Sequence, residues 1–130
     1  MKRSFSVIAT IAFSALLPVG CASTQSASPI PTATLVSTAQ DLAGKHLFDQ
    51  NCAACHGEQA RGTKQGPPLV HKIYEPSHHS DAAFVSAARN GSKQHHWPFG
   101  DMPAQPQVSD AQVKAITAYV RELQRDAGIR

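Results

Sequence analysis

With 130 residues the chain is long enough for one small domain, 42% apolar and only 16% charged. Its formal charge of +3 comes from 12 Lys and Arg against 9 Asp and Glu, and loss of Lys2 and Arg3 with the leader described next would leave 10 basic side chains against 9 acidic ones. A balance this even leaves no basic footprint for nucleic acid and excludes that class of partner.

Residues 1–20 read as a secretory signal peptide. Lys2 and Arg3 form its charged start, and Phe5 to Leu17 is an apolar run broken only by Ser and Thr, too short for a stop-transfer helix. No basic residue follows the run to hold it in a bilayer. The chain is therefore expected to be exported, to the periplasm or a periplasm-facing membrane surface of a bacterium. Leu17-Pro18-Val19-Gly20-Cys21 resembles the lipobox of bacterial lipoproteins, with Cys21 as the lipidated first residue of the mature chain. Pro18 and Val19 depart from that pattern, and ordinary cleavage near Ala22 or Ala27 is the other outcome.

Residues 21–35 are expected to be a flexible linker, and 36–130 the folded domain. Ala22 to Thr34 holds Ser, Thr, Ala, Pro and Gln with one Ile and no charge, too little apolar surface for a core. From Ala39 to Gln50 the residues Ala39, Leu42, Ala43, Leu47 and Phe48 recur at helical spacing, with Thr38 as the cap.

That helix leads into Cys52-Ala53-Ala54-Cys55-His56. C-x-x-C-H is the signature of covalent c-type haem attachment: two thiols separated by two residues can add as thioethers to the two vinyl groups of a porphyrin, and the adjacent imidazole becomes an axial ligand of the iron. The competing readings are a thioredoxin-like redox pair and half of a zinc site. The first needs a βαβ context and the second needs another ligand pair with its own spacing. His71, His78/His79 and His95/His96 supply no H-x₃₋₅-H arrangement, and no further Cys follows. With two of the three cysteines on haem and the third at Cys21, no disulfide is expected.

A second helix is predicted over Asp81 to Arg89, started by Ser80 and stopped by Asn90-Gly91, with Phe84, Val85 and Ala88 on one face. The last helix opens on the capping box Ser109-Asp110-Ala111-Gln112, carries Ile116, Tyr119, Val120 and Leu123 at i, i+3, i+4 and i+7, and ends at Gly128. No strand pattern competes, so the fold class is all-α. A domain this small has little apolar area of its own to bury, and a haem would supply it.

These features together resemble the class I c-type cytochromes. The resemblance covers roughly Ala39 to Leu123: the helix into Cys52-Ala53-Ala54-Cys55-His56-Gly57, then Gly66-Pro67-Pro68-Leu69, then Asp101-Met102-Pro103, then a helix carrying Ala118-Tyr119-Val120. It implies a small helical domain wrapped around one covalently bound haem c, held by Cys52, Cys55, His56 and Met102, with His56 and Met102 as axial ligands. A neutral thioether favours reduced iron, and Gly100 and Pro103 frame Met102 in a stiff loop. The rivals for that position are His95 and His96 in the same loop. The resemblance further implies that the Pro67 carbonyl orients His56 and that Leu69 packs on the porphyrin, although Pro68 stands where many relatives have a polar residue. Gly44 and Phe48 would meet Tyr119, and Trp97 would either donate to a haem propionate or shield the haem edge.

An iron filled on both sides moves one electron at a time. The chain is thus expected to be a single-haem electron carrier between redox protein partners in the cell envelope, not an enzyme. The alternative is a haem subunit docked on a dehydrogenase or oxidase complex, and a peroxide- or gas-reactive haem with His95-His96 as distal groups is a third reading. Lys45, Arg61, Lys64 and Lys72 are either a steering patch for an acidic partner or a scattered solvated surface.

Overall fold

The computed structural model of the protein describes residues 32–130. The signal at 1–20, Cys21 and the linker as far as residue 31 lie outside the described residues. Four α-helices follow in order: α1 over Thr32–Asn51, α2 over Ala53–His56, α3 over Asp81–Asn90 and α4 over Asp110–Asp126, with short 3₁₀ turns at Glu58–Ala60 and Lys72–Tyr74. The only strand-like feature among the described residues is an isolated antiparallel bridge between Ser92 and Met102.

α1 starts at Thr32 rather than at Ala39, so residues 32–35, expected in the linker, are helical. Between Pro31 and Ala39 the sequence has no Gly or Pro to interrupt helix propagation. Its buried face is also narrower than the spacing predicted. Gly44 and Phe48 are buried and Leu47 partly so, whereas Ala39 and Ala43 are exposed and Leu42 is 63% exposed. Among the α1 side chains whose burial is described, from Ala39 on, those of the last two turns meet the core, because α1 packs on α4 at Gly44.

At that crossing the backbones come close. A Cβ on Gly44 would collide with the Ala115 carbonyl oxygen and lie 3.0 Å from the Tyr119 Cβ. One turn on, Phe48 and Tyr119 pack with ring centroids 5.7 Å apart and planes tilted by 58°, a favourable aromatic geometry. Ala60, Leu69, Ile116 and Val120 complete this buried cluster.

The ends of α3 and α4 follow their expected residues, with one difference. At α4 the Ser109 Oγ accepts from the Gln112 N–H at 3.4 Å and the Gln112 Oε1 accepts from the Ser109 N–H at 2.9 Å, the reciprocal pair of a capping box. Gly128 then takes φ +76 just past the helix end. Ser80 occupies the N-cap of α3 in extended conformation, but its side chain caps no backbone N–H. The α3 start is held instead through Asp81, whose Oδ1 accepts from the Nε of Arg121 at 2.8 Å.

Arg121 and Gln124 form a polar tie that hydrophobic periodicity does not reveal. Arg121 is 6% exposed and Gln124 1% exposed. The Arg121 guanidinium donates to the Tyr74 carbonyl at 2.6 Å, to the Gln124 Oε1 at 2.7 Å and to the His79 carbonyl, and it lies 4.8 Å from the centre of the Phe84 ring. Gln124 donates in turn to the carbonyls of Leu69 at 2.8 Å and Tyr74 at 3.0 Å. Backbone acceptors buried in irregular chain need such donors. These two side chains fasten the 69–80 segment and α3 to α4, and so hold one side of the cleft described next.

Candidate haem site

The C-x-x-C-H residues continue the path of α1. The Cys52 N–H donates to the Phe48 carbonyl at 2.8 Å and the His56 N–H to the Cys52 carbonyl at 2.9 Å. Residues four apart on a helical path share a face, and Cys52 and His56 line one cleft. Cys55 is exposed beside it and is not part of the cleft wall.

Gly57 turns the chain out of α2 at φ +75, where any Cβ would overlap the Gly62 carbonyl. The next turn is tight enough to put Gln59 and Ala60 at φ +53 and +57. It is secured by donation from the N–H groups of Leu69 and Val70 to the Ala60 carbonyl, at 2.8 and 3.1 Å. This fold-back delivers Pro67 to the motif histidine. The Nδ1–H of His56 donates to the Pro67 carbonyl at 2.9 Å, which leaves the Nε2 lone pair free. His56 is buried, and burial pushes its pKa below the ordinary imidazole value, so the ring is neutral and able to bind metal.

Burial also pushes the Cys52 thiol up to about 11, with neighbouring Cys55 adding to the shift. A redox-active C-x-x-C works through a depressed thiol pKa. The environment of Cys52 has the opposite effect, and the helical surroundings of the motif lack the βαβ context that a thioredoxin-like pair needs.

Across the cleft, the loop between α3 and α4 brings Met102. It is fixed by the bridge to Ser92, with the Ser92 N–H on the Met102 carbonyl at 3.0 Å and the Met102 N–H on the Ser92 carbonyl at 2.9 Å. Leu69, Phe84, Val113 and Ile116 contribute apolar wall. The cleft holds about 1010 Å³ when its opening to solvent is included. The Nε1–H of Trp97, which also lines the cleft, is buried near Tyr74 and finds no hydrogen-bond partner of good geometry among the described residues. A mostly apolar slot with a neutral imidazole, a thioether and an orphaned donor is chemically suited to a porphyrin whose carboxylates need partners.

Four of the histidines outside the motif come together in space. His79 is only partly exposed, and the rings of His78, His79, His95 and His96 gather into one cluster at the cleft, with neighbouring centroids 4.3–5.7 Å apart. Partial burial lowers the pKa of His79, with its Ile73 hydrogen bond opposing and nearby His78, His95 and Arg121 assisting. Two adjacent-His pairs flanking α3 were the available signal, but pairwise spacing along the chain does not show that a loop folds one pair onto the other. Of the four cations near the motif, Lys45 pairs with Asp49 on α1 and Arg61 contacts Gln59, while Lys64 and Lys72 are exposed.

Residues 42–124 match the family model described as cytochrome c. A cbb3-type cytochrome c oxidase subunit CcoP from Rhodobacter capsulatus is 33% identical over 86 residues, covering 62% of this chain and 28% of that protein. The cbb3-type cytochrome c oxidase subunit FixP of Rhizobium etli is 35% identical over 96 residues, 68% of this chain and 31% of that protein. Lupanine 17-hydroxylase [cytochrome c] from a Pseudomonas species is 33% identical over 94 residues, 71% of this chain and 12% of that protein. The chain thus spans less than a third of the length of these relatives. No solved structure gives a significant match. No helix among the described residues is long and apolar enough to cross a membrane.

Proposed function

Because the chain belongs to the cytochrome c family, with the covalently bound haem c which that implies, we propose that it is a one-electron transfer domain serving as a docked haem subunit of an oxidase or dehydrogenase complex. The observation that carries the redox assignment is the shared cleft of Cys52, His56 and Met102, with the His56 ring oriented by Pro67. The docked form is favoured over a free carrier by the names of the relatives, which are subunits of cbb3-type oxidases and a hydroxylase carrying cytochrome c.

In this reading Cys52 and Cys55 would hold one haem through thioethers, and His56 and Met102 would offer its iron an imidazole nitrogen and a thioether sulfur. The haem supplies one-electron exchange at that iron. The protein's contribution is binding, orientation and exclusion of water. Pro67 fixes the His56 ring so that its Nε2 is presented rather than protonated. Leu69, Phe84 and Ile116 keep the site apolar, and Trp97 offers its N–H to a propionate. Met102 is preferred to His95 and His96 because it lines the cleft on a backbone fixed by the paired hydrogen bonds to Ser92, whereas those two rings are exposed. Were His56 and Met102 both to bind the iron, no position would be left open for peroxide or a gas, which favours a carrier over an enzyme. Export and a lipid tether at Cys21 complete the proposal, resting on the Lys2-Arg3 start, the apolar run and the Leu17 to Cys21 segment.

The test is the absorption spectrum of the oxidised haem-loaded protein. A weak near-infrared Met–iron charge-transfer band that disappears in Met102→Ala is the expected result, and a bis-His or five-coordinate spectrum in the unaltered protein would refute the ligand assignment. Docking is tested by native electrophoresis of detergent-solubilised envelopes. Haem stain carried by this chain should run with a terminal oxidase or dehydrogenase, and migration solely at the size of the isolated chain would favour the free carrier.

A further inference from the structure

The four-histidine cluster contains a contact that neutral side chains cannot satisfy. His79 places its Nδ1 2.7 Å from the Ile73 carbonyl, and His95 places its Nδ1 2.7 Å from the Lys93 carbonyl. A carbonyl only accepts, so each Nδ1 carries the hydrogen and each Nε2 carries a lone pair. Those two Nε2 atoms face each other at 3.4 Å. Two acceptors at that distance repel unless a positive centre sits between them.

Beside them the Nε2 atoms of His78 and His96 are 3.2 Å apart, and ring nitrogens of His78, His79 and His96 all fall within 4.8 Å of one another. A tetrahedral site with metal–nitrogen bonds of about 2.0–2.1 Å has six nitrogen–nitrogen edges of about 3.3–3.4 Å; the His79–His95 and His78–His96 pairs match two of them, while the separations between the pairs, up to 4.8 Å among His78, His79 and His96, would close on the ion. The carbonyls of Ile73 and Lys93 hold the imidazoles as metal-binding histidines are usually held, through the nitrogen that does not bind metal. All-imidazole ligation suits zinc, copper or nickel rather than calcium or magnesium.

We propose that His78, His79, His95 and His96 form a binding site for a divalent transition-metal cation, which ties the 75–80 segment before α3 to the loop that carries Met102. His79, His95 and His96 also line the cleft, so the bound cation would stiffen that part of its wall. The Ser92–Met102 bridge anchors that loop at its base, and the cation anchors its tip. The site rests on the proposed assignment of Met102, and not His95 or His96, to the haem iron, which the absorption spectrum tests separately.

The test uses the haem-loaded full-length protein, cleared of adventitious metal with a chelator and titrated with Zn²⁺ near neutral pH by calorimetry. One Zn²⁺ per chain should bind, and zinc-edge X-ray absorption should show imidazole nitrogens at about 2.0–2.1 Å. His78→Ala/His96→Ala removes two ligands, so its loss of affinity should be at least the about 10–100-fold seen when only an outer partner of a ligand is removed. His46→Ala, on exposed α1 surface, should bind like the parent. In the unaltered protein, ¹⁵N spectra of the imidazoles should show Zn²⁺ shifting the Nε2 signals of the four rings and leaving His46 in place, a readout that needs no variant to fold. The site is overturned by the absence of stoichiometric Zn²⁺ binding, which would mean that a shared proton alone satisfies the His79–His95 pair. Zn²⁺ binding that survives in the double variant, or that shifts His46 instead, overturns it equally.

Discussion

His56 donates its Nδ1–H to the carbonyl of Pro67 at 2.9 Å, and this bond determines which nitrogen of the ring is available. The carbonyl arrives there because the Gly57–Val70 segment folds back on itself, so the loop following the motif sets the orientation of the motif's own histidine. If the free Nε2 is the axial donor, His56→Ala should convert the haem-loaded protein from a low-spin to a high-spin absorption spectrum, and added imidazole should restore the low-spin form. A low-spin spectrum in His56→Ala without added ligand would assign the position to another residue.

Gly44→Ala is expected to destabilise the protein although Ala is the better helix former. In an exposed helix the change would be worth about 1 kcal/mol in favour of Ala. Here the added methyl meets the Ala115 carbonyl oxygen, a backbone atom that moves only if α1 and α4 separate. Overpacking of this kind typically costs about 1–3 kcal/mol, so the net change should be a loss, read as a lower urea midpoint. An unchanged or higher midpoint would mean that the two helices are free to part.

The parts of this structure legible in the sequence are those set by local chemistry. The Ser109–Gln112 capping box, the Ile116 to Leu123 stripe and the Cys52 to His56 motif each declare themselves within a few residues. The exposure of Leu42 was not legible, because it depends on where α4 crosses, whereas the N-terminal extent of α1 was open to reading, no Gly or Pro standing between Pro31 and Ala39. Arg121 and Gln124 read in sequence as the solvated side of an amphipathic helix, yet they are buried against backbone carbonyls of an irregular segment about fifty positions away in the chain. The histidine cluster was hidden for the same reason, since it depends on tertiary placement of a loop.

Stability should decline at high pH through the two tyrosines. Burial raises the pKa of both Tyr74 and Tyr119 above the ordinary value of 10.0. A group whose folded pKa is raised holds its proton longer in the folded state than in the unfolded chain, so its contribution is complete below about pH 10 and is lost as pH rises through the folded values. The urea midpoint of the haem-loaded protein should fall on moving into that alkaline range, and Tyr74→Phe should flatten part of the decline. A midpoint indifferent to pH above 10 would show that neither phenol is shielded.

Arg121 and Asp81 form an ion pair at 2.8 Å, but their substitutions should differ sharply because only one partner is buried. Asp81 has 71% of its side chain exposed while Arg121 has 8%. Asp81→Asn removes a charge that water already screens and should cost less than about 1 kcal/mol. Arg121→Met preserves apolar bulk over Phe84 but strips hydrogen from the carbonyls of Tyr74 and His79 and from the Gln124 amide oxygen. Hydrogen bonds to a charged group are worth about 1.5–3 kcal/mol each, and Gln124 can still supply Tyr74. The expected loss is at least about 3 kcal/mol, read by urea denaturation, and it should come with a shifted haem spectrum, since the 69–80 segment that Arg121 fastens forms one side of the cleft. If the two variants proved equally mild, the guanidinium would be acting only as a surface partner of Asp81, and the fastening of that segment would have to come from apolar contacts alone.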